Sequence, residues 1–219
     1  YSLITLGKLS RGERVLIHAA TGGVGLAAIY IAKEVGAEIY ATAGSEEKRD
    51  YLKNVMGISH VYNSRDIDFY DKIRQDTGNE GIDVVLNSLT GEQMWLSMRL
   101  LRSFGRFIEI GKKDIYENSK LGLEIFSNGL SYHMVDFEKI LIEQPQRIYQ
   151  VLQEIVLKID EGSYKPLPCT RFGIADIQKA FTTMATAKSI GKIVVDIEDK
   201  PVDITKDLGK AAIDSEGFY

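Results

Sequence analysis

The sequence predicts an α/β fold with a doubly wound parallel sheet, and three observations support this prediction. Strand-like and helix-like segments alternate along most of the chain, as they do in βαβ units. Glycines crowd the turn between the first strand and the first helix, in the string HAATGGVGLA that begins at His18. The segment Ile82–Ser88 is strongly apolar, which is typical of a strand covered on both faces. Right-handed crossovers would then place helices on both sides of the sheet.

Each element follows from its residue pattern. Val24–Val35 carries an apolar stripe at helical spacing, and Gly36 is the kind of residue that ends a helix. The predicted strands are Arg14–Ala20, Glu38–Ala43, His60–Asn63, Ile82–Ser88, Arg106–Ile110 and Leu130–Val135. The predicted helices are Val24–Val35, Glu46–Met56, Asp66–Thr77, Gly91–Ser103 and Gln146–Ile159.

The composition narrows the class of protein. The chain has 219 residues, 44% of them hydrophobic, and a formal net charge of −4, which disfavours binding to nucleic acid. No run approaches the ~20 apolar residues that a membrane helix needs, and no signal peptide opens the sequence. Because Cys169 is the single cysteine and the three histidines are scattered, no disulfide or metal site is expected. These features fit a cytoplasmic protein that does not bind membranes.

The glycine-rich turn has the spacing of a Rossmann-type dinucleotide fingerprint, with alanine at the first glycine position. Gly22 and Gly23 would let a diphosphate approach the backbone, and Gly25 would let the helix pack close to the strand. The free N–H groups at the start of the helix would bind the phosphates. The cofactor-binding segment is therefore predicted to be Thr21, Gly22, Gly23, Val24 and Gly25. The alternative is that the glycines only allow the helix to pack closely against the strand, and that the turn binds no cofactor.

The end of the second strand favours NADPH over NADH. An NAD site carries Asp or Glu there for the ribose 2′-hydroxyl, but residues 41–45 read ATAGS. Small polar and cationic residues suit a 2′-phosphate instead. The residues predicted to bind it are Ser45, Lys48, Ser64 and Arg65. Alternatively, Lys48 and Arg49 form a solvated helix face, and Glu46 and Glu47 argue mildly for that alternative.

Several strings together resemble one family. They are HAATGGVGLAA, SEEKR, NSRDIDF, DVVLNSLTGE, GRFIEIGKKDI and SIGKIVV. The sequence resembles the enoyl reductase domains of modular polyketide synthases and of animal fatty acid synthase, which belong to the zinc-free medium-chain dehydrogenase/reductase superfamily. The resemblance runs from Tyr1 to about Asp196. VLNSL followed by GRFIEIGK is its most specific part.

The resemblance implies an activity and its partners. The family reduces an α,β-unsaturated thioester on an acyl carrier protein: NADPH gives hydride to the β-carbon, and the α-carbon is protonated. The neighbouring domains of a megasynthase would be further partners. Lys112 and Asp136 match the polar groups that the family places near the substrate, and a lysine there can stabilise an enolate or deliver a proton. The alternative is a loop salt bridge of little energetic value.

The resemblance also assigns the ends of two strands to the cofactor. Asn87, Ser88 and Leu89 would lie along the nicotinamide side, and Ile110 and Gly111 would complete that site. The carboxyl ends of parallel strands are where open α/β sheets bind ligands. The alternative for Asn87 is a buried side chain that caps a turn.

The predicted domains follow from the same comparison. Residues 1–165 would form the NADP-binding domain, 166–199 a C-terminal segment of helix and strand, and 200–219 a linker or tail. In the family that segment returns to a GroES-like substrate domain, which normally precedes the cofactor domain. Because Tyr1 falls where the cofactor domain usually begins, the chain is expected to be a fragment. The apolar face of helix 174–187 would then lack its usual partner.

Rival functions share parts of this pattern. A quinone oxidoreductase-like NADPH reductase shares the glycine turn but matches the specific strings less well. A non-catalytic nucleotide-binding module is the alternative from another class, and NADPH titration with a turnover assay separates it from an enzyme. Tyr116 and Lys120 match the catalytic pair of short-chain reductases, but Leu26 and Ala28 replace two glycines that those enzymes need. A methyltransferase would place an acidic residue at the end of the second strand.

Overall fold

The computed structural model describes residues 1–197, which form two compact units. The first unit comprises Tyr1–Pro168 with Ile190–Lys192, and the second comprises Cys169–Ser189 with residues from Ile193 onward. The segment 200–219, predicted to be a linker or tail, lies outside the described residues.

The first unit is built on a six-stranded sheet in which every neighbouring pair is parallel. Its strand order is β3-β2-β1-β4-β5-β6, the order of a Rossmann fold. The strands are β1 (Arg14–Ile17), β2 (Glu38–Ala43), β3 (His60–Asn63), β4 (Ile82–Asn87), β5 (Leu101–Glu109) and β6 (Ser131–Met134). The α-helices are α1 (Gly23–Val35), α2 (Glu46–Asp50), α3 (Phe69–Asp76), α4 (Glu92–Arg99), α5 (Lys113–Tyr116), α6 (Phe137–Glu143) and α7 (Pro145–Asp160). Short π or 3-10 helices span Ser2–Leu6, Tyr51–Val55, which continues α2, and Leu123–Asn128. The predicted doubly wound parallel fold is confirmed.

Two hydrophobic clusters cover the two faces of this sheet. Leu26 and Ile29 of α1 pack with Val15 and Ile17 on one face. On the other face α3 and α4 pack against Leu16, Val85 and Phe107. Because β4 is covered from both sides, all six of its residues are buried. The strongly apolar run that the sequence shows there is the consequence of this position.

The ends of α1 follow the glycine pattern of the sequence. Gly36 ends the helix with φ +80°, the left-handed conformation that glycine adopts without strain. Its N–H donates to the Ala32 carbonyl, which leaves fewer carbonyls unpaired at the helix end. The helix begins at Gly23, within one residue of the predicted start.

Several predicted boundaries are wrong. The first strand ends at Ile17 and not at Ala20, because Ala19 takes φ +47° and the Gly22 N–H donates to the Ala19 carbonyl (2.9 Å), which closes a tight turn. The fifth strand begins at Leu101, inside the predicted helix, since Leu101 pairs with Ile82. Helix α6 was not predicted. Asp136 is its N-cap, and the Asp136 side chain accepts the Lys139 N–H.

The second unit contains β7 (Cys169–Gly173), α8 (Ile177–Ala185) and most of β8 (Lys192–Asp196), and β7 pairs with β8. The predicted helix 174–187 is shorter than expected, because Ile174–Asp176 forms a 3-10 turn before α8. Phe181 and Met184 on α8 are 59% and 57% exposed, so the apolar face noted in the sequence is largely uncovered in this structure.

Candidate functional site

The predicted site residues lie at one edge of the sheet. The carboxyl ends of parallel strands all lie at the same edge of a sheet. The direction of the crossovers reverses between β1 and β4, and sheets of this kind bind ligands in the crevice at that reversal. The glycine turn follows β1, Ser45 follows β2, Ser64 follows β3, Ser88 follows β4 and Ile110 follows β5. All five segments therefore lie at the carboxyl edge of the same sheet.

Gly22 and Gly25 of the turn have different surroundings. A methyl group on Gly25 would lie 2.5 Å from Ala20 Cα, so this glycine allows α1 to pack against the preceding chain. A methyl group on Gly22 would meet only the Ala19 carbonyl oxygen, at 3.3 Å, and otherwise open space. In residues 1–197 no side chain caps the start of α1, and its first turn holds no acidic residue. The N–H groups there suit an anion.

The end of β2 gathers cationic side chains. Ser45 is the N-cap of α2 and its hydroxyl accepts the Lys48 N–H at 3.4 Å. A methyl group on Gly44 would lie 3.0 Å from Arg65 Nε and 3.5 Å from Ser64 Oγ. Burial, and secondly the charge of nearby Arg65, lower the pKa of Lys48. The predicted 2′-phosphate residues thus lie together, and two neighbouring cations would both gain from an anion between them.

The end of β4 is held by the Asn87 side chain. Its Oδ1 accepts the Leu89 N–H at 3.2 Å, and its Nδ2 donates to the Leu89 carbonyl at 2.8 Å and to Glu109 Oε2 at 2.6 Å. Asn87 therefore caps the turn that follows β4, and its contact with a nicotinamide stays a prediction. The Ser88 hydroxyl oxygen is buried without a hydrogen-bond partner among the described residues. It is the buried polar atom at this edge that a ligand would satisfy.

Glu109 is a site residue that sequence reasoning missed. It ends β5, is 2% exposed, and receives hydrogen bonds from Asn87 Nδ2 and from the Gly111 N–H, each 2.6 Å long. Burial raises its pKa to about 7. The Glu109 carboxyl group is thus hydrogen-bonded both to the end of β4 and to the turn after β5. The available signal was a glutamate inside the apolar string RFIEI.

Lys112 and Asp136 form an ion pair, which both the predicted role near a substrate and the alternative of a loop salt bridge allow. Lys112 Nζ lies 3.0 Å from Asp136 Oδ1 and 3.8 Å from Glu138 Oε2. The hydrogen bond to Asp136 raises the pKa of Lys112, and the same bond lowers the pKa of Asp136. The pair borders a cleft of about 230 Å³ that Tyr116 and Ile142 also line. Lys112 is therefore held as a cation at a surface cleft.

A buried histidine, His18, follows β1 directly and precedes the glycine turn in the sequence. His18 Nε2 lies 2.8 Å from Ser97 Oγ, and Ser97 Oγ donates its proton to the Gln93 carbonyl. Nε2 must then carry the histidine proton, so Nδ1 accepts from Thr42 Oγ1 at 2.9 Å. Burial lowers the pKa of His18 to about 3, so the ring stays neutral. This network connects the residue after β1 with β2 and α4.

In residues 1–197, no three His, Cys, Asp or Glu side chains are grouped so as to hold a metal ion. Within the same residues, no helix has the length and apolar character to cross a membrane.

Comparison with known proteins gives the family. The family described as "Zinc-binding dehydrogenase" matches residues 23–156. Over 197 residues the chain is 48% identical to a phenolphthiocerol/phthiocerol polyketide synthase of Mycobacterium tuberculosis, and the match covers 90% of this chain and 9% of that protein. The chain thus spans about a tenth of the length of this curated relative.

Solved structures agree with that assignment. The nucleotide-binding subdomain of the enoylreductase domain of PpsC from Mycobacterium tuberculosis is 48% identical with a TM-score of 0.71, over 75% of this chain and 91% of that one. The CurK enoyl reductase is 42% identical with a TM-score of 0.79, over 90% of this chain and 58% of that one. The chain therefore belongs to the enoyl reductase domains of polyketide synthases, a group of oxidoreductases, and corresponds to their nucleotide-binding subdomain.

Proposed function

We propose that this chain binds NADPH and forms the cofactor half of an enzyme that reduces the α,β-double bond of an acyl thioester on an acyl carrier protein. The observation that carries the proposal is the uncapped start of α1 beside an open Gly22, at the edge where Lys48 and Arg65 gather. The matches to enoyl reductase domains support the reaction class. The neighbouring domains of a cytoplasmic megasynthase would be its partners.

The residues present fit the cofactor. The N–H groups of Gly23, Val24 and Gly25 would bind the diphosphate, with Thr21 and Gly22 allowing its approach. Ser45, Lys48, Ser64 and Arg65 would hold the 2′-phosphate. The turns 87–89 and 110–111 would border the nicotinamide, and the unpartnered Ser88 hydroxyl offers a polar contact there. When bound, NADPH supplies the hydride that the β-carbon of the substrate receives.

Lys112 has an electrostatic role in this proposal. As hydride reaches the β-carbon, negative charge moves to the thioester oxygen, and an ammonium beside that oxygen stabilises the enolate. Asp136 keeps Lys112 protonated, because their hydrogen bond raises the lysine pKa. The same bond makes Lys112 a weaker acid. Its main contribution is therefore charge stabilisation, while the α-carbon takes its proton from Lys112 or from water.

A reductase assay on the full-length protein tests the proposed function. The substrate is crotonyl thioester carried on phosphopantetheine, and NADPH oxidation is followed by absorbance. We expect NADPH consumption with formation of the saturated butyryl thioester. NADPH oxidation with quinones but not with crotonyl thioester would favour a quinone reductase, and binding without any turnover would favour a nucleotide-binding module.

A further inference from the structure

Residues from the far end of the sequence lie against the glycine turn. The Gly191 N–H donates to the Thr21 carbonyl at 2.8 Å, and Gly191 forms a parallel bridge with Gly22. The Lys192 N–H donates to the Pro168 carbonyl at 2.9 Å. Gly191 has φ +77°, and a methyl group there would lie 2.0 Å from the Pro168 oxygen. Only glycine fits this position, so the backbone that carries Lys192 is fixed beside the turn.

The Lys192 side chain lies over Gly23, the first residue of α1. A methyl group on Gly23 would lie 2.6 Å from Lys192 Cε and 2.9 Å from its Nζ. The missing side chain of Gly23 therefore makes room for the lysine. In the described part of the chain Lys192 makes no ion pair with a carboxylate.

This arrangement places two positive features side by side. The first turn of α1 presents unpaired N–H groups and the positive end of the helix dipole. An ammonium beside them is repelled by that end of the dipole unless an anion lies between. A lysine is a compact charge with rotatable donors, which suits a phosphate oxygen. A diphosphate on the turn would satisfy both features at once.

We propose that Lys192 binds the diphosphate of the nicotinamide dinucleotide, together with the glycine turn. This inference rests on the proposed function, because it assumes that a dinucleotide occupies the turn. It adds a binding residue about 170 positions away in the sequence, judged from the numbering of Gly23 and Lys192. Since both NADPH and NADH carry the diphosphate, Lys192 would bind them equally, whereas Arg65 would distinguish them.

The test is equilibrium binding of NADPH and of NADH to this chain, followed by nicotinamide fluorescence. Lys192→Ala removes one charge-assisted hydrogen bond to a phosphate. Its affinity for both cofactors should therefore be about tenfold lower or more. Lys192→Arg keeps the charge and should stay within about threefold of the unchanged chain. Lys188→Ala, which removes an exposed charge four residues earlier, is the matched control and should change nothing. Circular dichroism of each variant checks that it is folded.

The outcomes separate the two proposals. If the unchanged chain binds neither cofactor, the proposed function fails. If it binds NADPH and Lys192→Ala binds it equally well, the proposed function stands and the inference about Lys192 is overturned. A Lys192→Ala variant that loses affinity for NADPH alone would place the lysine at the 2′-phosphate, which also contradicts the inference.

Discussion

Glu109 should make the stability of the fold depend on pH through one side chain. Its carboxyl is buried, and its pKa is raised from the ordinary 4.5 to about 7. Between these values the folded protein holds a proton that the unfolded chain releases, so the free energy of unfolding falls as pH rises through this range. Each pKa unit is worth about 1.4 kcal/mol, so the total loss from Glu109 is about 3 kcal/mol.

Glu109→Gln removes this titration. The amide still offers an oxygen to the Gly111 N–H, but its NH₂ group faces Asn87 Nδ2, and two donors in contact cost about 1–3 kcal/mol. That cost is the same at every pH. The variant's stability relative to the unchanged protein should therefore improve by about 3 kcal/mol between pH 4 and pH 9.

Urea unfolding at a series of pH values measures this difference. All other titrating groups are shared by the two proteins, so their effects cancel in the comparison. Glu117→Gln, which removes an exposed carboxylate eight residues later in the sequence, is the control for the loss of a carboxylate as such. If the free energy of unfolding of Glu109→Gln differs from that of the unchanged protein by the same amount at every pH, the reasoning about the buried carboxyl is refuted.

Three further substitutions test other parts of the site. Arg65→Ala should weaken NADPH binding about tenfold and leave NADH binding unchanged, as measured by titration; equal losses for both cofactors would mean that Arg65 does not bind the 2′-phosphate. Lys112→Ala in the full-length protein should slow crotonyl thioester reduction more than about tenfold, and a smaller effect in the steady-state rate would reduce the Lys112–Asp136 pair to a surface salt bridge. Gly25→Ala should destabilise the fold by about 1–3 kcal/mol in urea unfolding, because its methyl group would meet the Ala20 backbone at 2.5 Å; an unchanged midpoint would contradict the packing role.

Local patterns were sufficient for much of the fold. Glu38–Ala43 and His60–Asn63 have the predicted bounds because each is a short β-rich run between turn residues. The helix end at Gly36 follows from the left-handed backbone that glycine adopts easily. Gly25 in the glycine turn follows instead from the close approach of the Ala20 backbone, which leaves no room for a side chain. The start of β5 was misplaced because Leu101 joins the sheet by pairing with Ile82, and that contact is not encoded in local propensity.

The positions of the candidate site residues could be predicted where they follow directly from the end of one strand, but not where distant segments meet. Lys112 and Asp136 were named through the resemblance, and their role in the site stays a prediction. The N-cap position of Asp136 was missed because α6 was not predicted. Glu109 was missed because its burial and its bond to Asn87 depend on how β4 and β5 pack. The position of the Lys192 side chain over Gly23 was not predicted for the same reason, since about 170 residues separate the two in the sequence.

Calorimetric titration of this chain with NADPH, with and without Gly22→Val, tests the central claim most directly. A branched side chain at residue 22 would extend into the open space above the turn, where the diphosphate is proposed to lie. The account predicts that the unchanged chain binds NADPH more tightly than NADH and that the folded Gly22→Val variant binds neither. An unchanged chain that ignores NADPH, or a variant that binds it with undiminished affinity, would contradict the account.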